Sequence, residues 1–187
     1  MKARLVQVGV DLLAQEGLSA LTLREIARKA GVSHGAPRRH FPTHLELLSA
    51  IAQKGFTDLT AVVARAVEDR ERSPRARLTV LGRVYLDFAR DNPGMFELMF
   101  RHDLLESNRL GLRETSLPLF TMLVDLITEV GPAGETPPRV VAGALWANLH
   151  GIALLWGWGS LPLATGADRA DVLLHAALAA HLGPETI

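Results

Sequence analysis

Hydrophobic residues recur every three to four positions along most of the chain, and no sustained alternation of apolar and polar residues interrupts this spacing. A repeat of three to four residues is the period of an amphipathic α-helix, and Gly and Pro residues divide the chain into helical lengths. We therefore predict an all-α protein. The predicted helices span about residues 3–15, 23–30, 33–41, 43–70, 74–91, 95–100, a start at 105 or 115 to 130, 139–158 and 167–182.

Residues 22–41 predict two short helices joined by a tight turn, with arginines crowding the second helix. Thr22, followed three residues later by Glu25, forms an S/T-x-x-E capping box, which predicts a helix that begins directly after Thr22. Gly31 is suited to the left-handed conformation that ends a helix, and Ser33 is then placed to cap the next helix. This spacing predicts a helix-turn-helix that binds DNA.

Composition agrees with a folded protein whose polyanionic partner binds near the N-terminus. The 187 residues are 48% hydrophobic, which suffices for one domain or two small ones, and the absence of Cys excludes disulfides and thiolate chemistry. The net charge of zero hides an asymmetry, since residues 1–56 carry eight Lys and Arg against four Asp and Glu, whereas residues 57–187 carry twelve against sixteen. Because Lys and Arg neutralise phosphates, the basic part is the expected DNA-binding part.

One apolar stretch, residues 140–167, contains no Asp, Glu, Lys or Arg and exceeds the roughly 20 residues that span a bilayer. Asn148, His150, several Gly residues and Pro162 interrupt it, which favours a buried helix of a soluble protein. The first residues lack the pattern of a secretory signal. We therefore expect a cytoplasmic protein that does not enter a membrane.

Residues 21–33, together with Arg39-His40-Phe41 and Leu45-Glu46-Leu47-Leu48, resemble the TetR family of bacterial transcriptional regulators over about residues 3–56. Further along, residues 92–100 and 145–151 resemble a branch of this family whose C-terminal domain is marked by a Trp followed by His-Gly.

The resemblance implies an N-terminal three-helix helix-turn-helix DNA-binding domain, expected over residues 1–43. It also implies a C-terminal helical ligand-binding and dimerisation domain, expected over residues 44–187. The expected partners are double-stranded operator DNA, a small-molecule effector, and a second copy that joins a homodimer through the last two long helices. The function implied is repression that ends when the ligand binds.

The family pattern places Thr22 and Ser33 where backbone phosphates are contacted, which suits helix N-termini. Arg38 stands where the family usually has Tyr, and His44 stands where it usually has Lys. The Arg38 side chain has the donors to contact either a phosphate or a guanine edge, whereas His44 is a weaker phosphate ligand when neutral. The predicted DNA-binding residues are Thr22, Arg24, Ser33, His34, Arg38, Arg39 and His44.

Aromatic and Met side chains are concentrated in the C-terminal two thirds of the chain. They either line a ligand cavity or fill the core, and an apolar pocket with few polar groups is typical of a small-molecule site. A mostly hydrophobic effector is the resulting hypothesis. The predicted ligand-binding residues are Phe88, Met95, Phe96, Met99, Phe120, Trp146 and His150.

No metal-ligand spacing and no nucleophile, phosphate-loop or paired-carboxylate motif is present in the sequence. We therefore expect neither an enzyme nor a cofactor, and no catalytic or metal-binding residue. Two alternatives remain open at this point. One is an effector-independent DNA-binding dimer, and the other is a helical enzyme or membrane-associated module that uses the basic part for anionic lipid.

Overall fold

The computed structural model describes residues 1–131 and 134–184, in which helices are present and strands are not. The predicted all-α class is therefore confirmed. The α-helices are α1 Lys2–Glu16, α2 Leu23–Lys29, α3 Ala36–His40, α4 His44–Ala66, α5 Pro74–Asp91, α6 Pro93–Met99, α7 His102–Ser107, α8 Leu112–Val130, α9 Pro138–Gly157, α10 Ser160–Thr165 and α11 Ala170–Leu182.

The chain forms two compact units. The first unit comprises Met1–Asp58 and Asn92–Leu117, and the second comprises Leu59–Asp91 and Pro118–Ile187. Helices α4 and α8 each contribute residues to both units. The functional boundary expected after residue 43 stays a prediction.

In the first unit, α1 packs against α2 and α6, and α4 contributes further buried apolar residues. Two glycines allow the helices to approach closely. A Cβ atom on Gly9 would overlap the side chain of Ile51, and one on Gly55 would lie 2.6 Å from Sδ of Met99 and 2.7 Å from Sδ of Met95. The two contacts place α4 close to α1 and to α6.

The start of the helix-turn-helix forms as predicted, with one difference. Oγ1 of Thr22 accepts a hydrogen bond from the backbone N–H of Glu25 at 3.1 Å, and Gly31 has a φ of 64°. The reciprocal half of the capping box is absent, because the Glu25 carboxylate binds Arg28. The Thr22 N–H instead donates to the carbonyl of Ala20 at 2.7 Å.

The prediction that Ser33 caps the second helix is wrong. Helix α3 begins at Ala36 after Gly35, which is its N-cap, and no side chain caps it. The N–H of Ala36 donates to the carbonyl of Ser33 at 2.9 Å, which closes a turn before the helix. Because Pro37 has no N–H, it fits only in the first helical turn, and the helix therefore starts beside it.

The stretch between α6 and α8 differs from the prediction. A short helix, α7, and a 3-10 turn, Arg109–Gly111, precede α8, which begins at Leu112 rather than near 105 or 115. Two non-glycine residues there have positive φ, Asn108 at 45° and Leu110 at 60°. The gap left at 131–138 between two predicted helices lies partly outside the described residues, and α10 was not predicted.

The second unit packs α5, α9 and α11 together. Leu174 lies so close to Gly82 that a Cβ atom there would be 2.5 Å from Cδ1 of Leu174. The Arg83 guanidinium binds the Asp171 carboxylate through two hydrogen bonds of 2.9 and 2.8 Å, which joins α5 to α11.

Helix α9 is the apolar helix that the sequence predicted to be buried, and this prediction is wrong for most of its surface. Its buried residues, Val141, Ala142, Leu145 and Leu149, form one face only. The rest of the helix is open or half-buried in the single chain. With a mean hydropathy of 1.4 it is the one helix of the described residues that is long and apolar enough to cross a membrane, by length and composition alone.

Candidate nucleic-acid interface and aromatic cluster

All seven predicted DNA-binding residues have exposed side chains in the first unit. They belong to the start of α2, the turn before α3, α3 itself and the start of α4. The structure thus leaves each of them accessible to a partner. They are Thr22, Arg24, Ser33, His34, Arg38, Arg39 and His44.

Helix α3 presents two arginines because its inward positions are filled by other residues. Pro37 and Phe41 are buried, four residues apart, while Arg38 and Arg39 between them are exposed. Pro37 lies within α3, and Phe41 directly follows the helix in an extended conformation. His40, the last residue of α3, is half-buried.

His44 is fixed to the start of α2. Its Nε2 atom lies within hydrogen-bond distance of the carbonyl oxygen of Leu21, and since a carbonyl only accepts, Nε2 must carry the proton. Beside it, Oγ1 of Thr43 accepts from the N–H of Glu46 at 3.2 Å and caps α4. The ring of His44 therefore has a structural role next to Thr22, and its contact with phosphate stays a prediction.

Three of the eight cations in residues 1–56 are neutralised within the chain. Arg28 pairs with Glu25 and Lys29 pairs with Glu16. Lys54 pairs with Asp58. The other five cations form no ion pair among the described residues, and they are Lys2, Arg4, Arg24, Arg38 and Arg39.

In the second unit, three side chains meet around one hydroxyl group. The Tyr85 oxygen lies 2.9 Å from Nδ1 of His150 and accepts a hydrogen bond from Nε1 of Trp146 at 3.3 Å. The Trp146 ring packs edge-on against Phe120, with 6.1 Å between ring centroids. The guanidinium of Arg139 lies 5.4 Å from the centroid of the Phe120 ring. We call Tyr85, Phe120, Trp146 and His150 the aromatic cluster.

Burial sets the protonation of this cluster. It raises the pKa of the Tyr85 phenol, despite the opposing hydrogen bond from Trp146, and it lowers the pKa of His150. The phenol therefore keeps its proton and His150 is neutral near pH 7. When the proton of the neutral His150 resides on Nε2, Nδ1 is the acceptor for the Tyr85 hydroxyl.

The predicted ligand-binding residues fall into both units. Phe120, Trp146 and His150 come together in the second unit, where Phe88 is half-buried on α5. The other three are buried in the first unit, where Phe96 packs on Phe100 with 4.9 Å between ring centroids. These three are Met95, Phe96 and Met99.

Sequence reasoning did not select Tyr85 as a site residue. It is the single Tyr of the chain and lies at an inward position of α5, and these two facts could have marked it as a candidate. Its hydrogen-bond partners, however, lie 61 and 65 residues away in the sequence. Among the described residues, no group of three or more His, Asp or Glu side chains is placed to hold a metal ion.

Family models match both parts of the chain. Residues 5–51 match a model described as bacterial regulatory proteins of the tetR family, and residues 78–181 match a model described as the tetracyclin repressor-like C-terminal domain.

Individual relatives give the same picture. The nucleoid occlusion factor SlmA of Aliivibrio fischeri is 32% identical over 103 residues, which are 54% of this chain and 52% of that protein. The chain thus matches about half the length of this curated relative. A protein of unknown function from Rhodococcus sp. RHA1 has a TM-score of 0.80 and 32% identity, over 94% of this chain and 90% of that one.

A further solved structure is that of Thermus thermophilus FadR, a TetR-family transcriptional repressor in complex with lauroyl-CoA. Its TM-score is 0.68 at 20% identity, over 95% of this chain and 91% of that one. At this identity the similarity concerns the fold.

Proposed function

The chain belongs to the TetR family of DNA-binding transcriptional regulators, and we propose that it is a repressor that a small, mostly hydrophobic ligand releases from operator DNA. As a member of this family it is a regulator and not an enzyme. We further propose that it acts in the cytoplasm as a homodimer.

The observation that carries the DNA-binding site is the geometry of α3. Pro37 within the helix and Phe41 directly after it are buried, and Arg38 and Arg39 between them are exposed without an ion pair among the described residues. An arginine at such a position has the donors to bind a phosphate or the O6 and N7 atoms of guanine. In a dimer, two such helices enter successive major grooves of a near-palindrome.

The exposed face of α9 supports a second copy as the dimer partner. Apolar and small side chains recur on it at intervals of three and four residues, and a Cβ atom on Gly151 would meet nothing within 4 Å in the single chain. Helix α11 has a comparable exposed face at Val172, Ala176 and Ala179. Small residues let helices from two chains approach closely. The α9 stripe consists of Val140, Ala144, Ala147, Gly151 and Leu155.

The aromatic cluster supports the ligand site. It combines apolar rings with a few polar atoms, which is the usual character of a small-molecule site, and the similar T. thermophilus FadR was solved with lauroyl-CoA, an acylated ligand. A ligand that prefers the protein geometry mismatched to the operator weakens DNA binding. Tenfold weaker binding requires a preference of about 1.4 kcal/mol.

The alternative is an effector-independent DNA-binding dimer. It is favoured by Met95, Phe96 and Met99, which are buried and pack against neighbouring core residues rather than lining an accessible space.

Selection of binding sites from random duplex DNA tests the proposal. The purified protein is incubated with the random pool at roughly physiological salt, where weak electrostatic binding is suppressed. We expect enrichment of an inverted repeat, and a folded protein that enriches none contradicts sequence-specific regulation. With the enriched duplex as probe, loss of binding on addition of hydrophobic small molecules distinguishes the ligand-released repressor from the effector-independent dimer.

A further inference from the structure

Two basic side chains from the first turn of α1 reach opposite ends of the segment between α2 and α4. Nη2 of Arg4 lies 3.7 Å from the position that a Cβ atom on Gly31 would occupy, beside the turn that follows α2. Nζ of Lys2 lies 5.7 Å from the centroid of the Phe41 ring, just after α3. Both side chains are exposed. Residues 31–41, which include α3, are therefore bracketed by two cations from another helix.

The acids that would otherwise neutralise these cations are engaged elsewhere. Each of the four acidic residues in positions 1–56 has a partner of its own. The pairs are Asp11 with Gln7, Glu16 with Lys29, Glu25 with Arg28, and Glu46 with Arg109.

Lys2 and Arg4 thus add to the unneutralised charge of Arg38 and Arg39. Among the described residues none of the four forms an ion pair, and like charges held on one unit repel unless an anion lies between them. A regularly spaced polyanion satisfies this arrangement. The contact of Lys2 with an aromatic face leaves its ammonium exposed for such a partner.

We propose that Lys2 and Arg4 bind DNA phosphates on the two sides of the segment that reads the bases. The inference rests on the proposed DNA-binding function and adds to it a pair of positioning residues outside the helix-turn-helix. Phosphate contacts fix the register of a protein on the duplex but carry no sequence information. Lys2 and Arg4 therefore set affinity and register, while α3 sets base preference.

The test is the salt dependence of DNA binding by K2Q, R4Q and the double variant. Dissociation constants are measured between about 50 and 300 mM salt, on the selected duplex and on a mixed-sequence duplex of equal length. Each lost phosphate contact lowers the slope of log affinity against log salt by about one and weakens binding about three- to tenfold. Lys54→Gln is the matched control, because it removes one charge from the same unit at a cation already paired with Asp58.

We expect K2Q and R4Q to reduce the slope on both duplexes, with base preference unchanged and the control equal to the wild type. Arg4→Lys, which keeps the charge, should restore most of the slope, whereas a role in supporting the Gly31 turn would not be restored in this way.

If the double variant has the same slope of log affinity against log salt as the wild type, the inference is overturned. The proposed regulatory function is unaffected by that result. If no duplex is enriched by the wild type, the proposed sequence-specific function fails, and the mixed-sequence duplex still decides whether Lys2 and Arg4 bind phosphate.

Discussion

The hydroxyl group of Tyr85 lies 2.9 Å from Nδ1 of His150 and joins α5 to α9. The same oxygen accepts a hydrogen bond from Trp146, one turn earlier on α9. A single phenol thus orients both the Trp and the His that the family resemblance had marked. Because all three groups depend on one oxygen atom, changes at Tyr85 should affect the whole aromatic cluster.

Tyr85→Phe should lower the free energy of unfolding by about 1–2 kcal/mol, because it leaves Nε1 of Trp146 and Nδ1 of His150 without this partner. Urea unfolding of the purified protein measures the change. A double-mutant cycle with His150→Ala isolates the Tyr85 to His150 bond from other effects of each side chain. Strictly additive effects of the two substitutions would mean that this bond does not contribute to stability.

Stability should depend on the protonation of His150. Since burial lowers the pKa of this group below its ordinary value of 6.5, the unfolded chain binds a proton between the two values that the folded chain does not. The free energy of unfolding is therefore fully retained above about pH 6.5 and falls as the pH is lowered through this window. Urea titrations from pH 5 to 8 on the wild type and on His150→Gln should show a smaller decline in the variant. Parallel curves would contradict the assignment.

Arg38→Ala should weaken binding to the selected operator by about 1–3 kcal/mol, since it removes a fork of donors from the exposed face of α3. Fluorescence anisotropy with the enriched duplex measures the loss, and repeating the selection with the variant shows whether base preference relaxes. Arg72→Ala, which removes an arginine paired with Asp69 in the second unit, is the control. Affinity equal to that of the wild type would remove Arg38 from the DNA site.

Ala147→Glu should break the proposed dimer, because it places a carboxylate without a partner in the α9 stripe. Burying such a charge costs roughly 3–5 kcal/mol, so the dimer dissociation constant should rise at least about a hundredfold. Sedimentation equilibrium measures it. The control is Ala64→Glu, at an exposed alanine of α4, which should leave association unchanged. If Ala147→Glu dimerises as tightly as Ala64→Glu, α9 is excluded as the interface.

Local rules were sufficient where a structural feature depends on a few consecutive residues. The Thr22 and Thr43 caps and the left-handed Gly31 follow from side-chain chemistry within three positions. The same rules failed at Ser33, where a backbone turn to Ala36 replaced the expected side-chain cap.

Features that depend on distant contacts were not predictable in this way. Tyr85 meets partners more than 60 residues away. The charge count included Lys2 and Arg4, but only the folded chain places them beside residues 31–41. Exposure of α9 likewise requires knowing which faces of three helices meet.

Helix α3 has five residues, hardly more than one turn, so its own hydrogen bonds contribute little rigidity. Pro37 and Phe41 hold it in place through packing. The packing therefore imposes no constraint on the residue types at positions 38 and 39. If Arg38 and Arg39 bind operator DNA as proposed, duplicated copies of such a gene are free to exchange these two residues and acquire new target sites, while the scaffold that presents them keeps its stability.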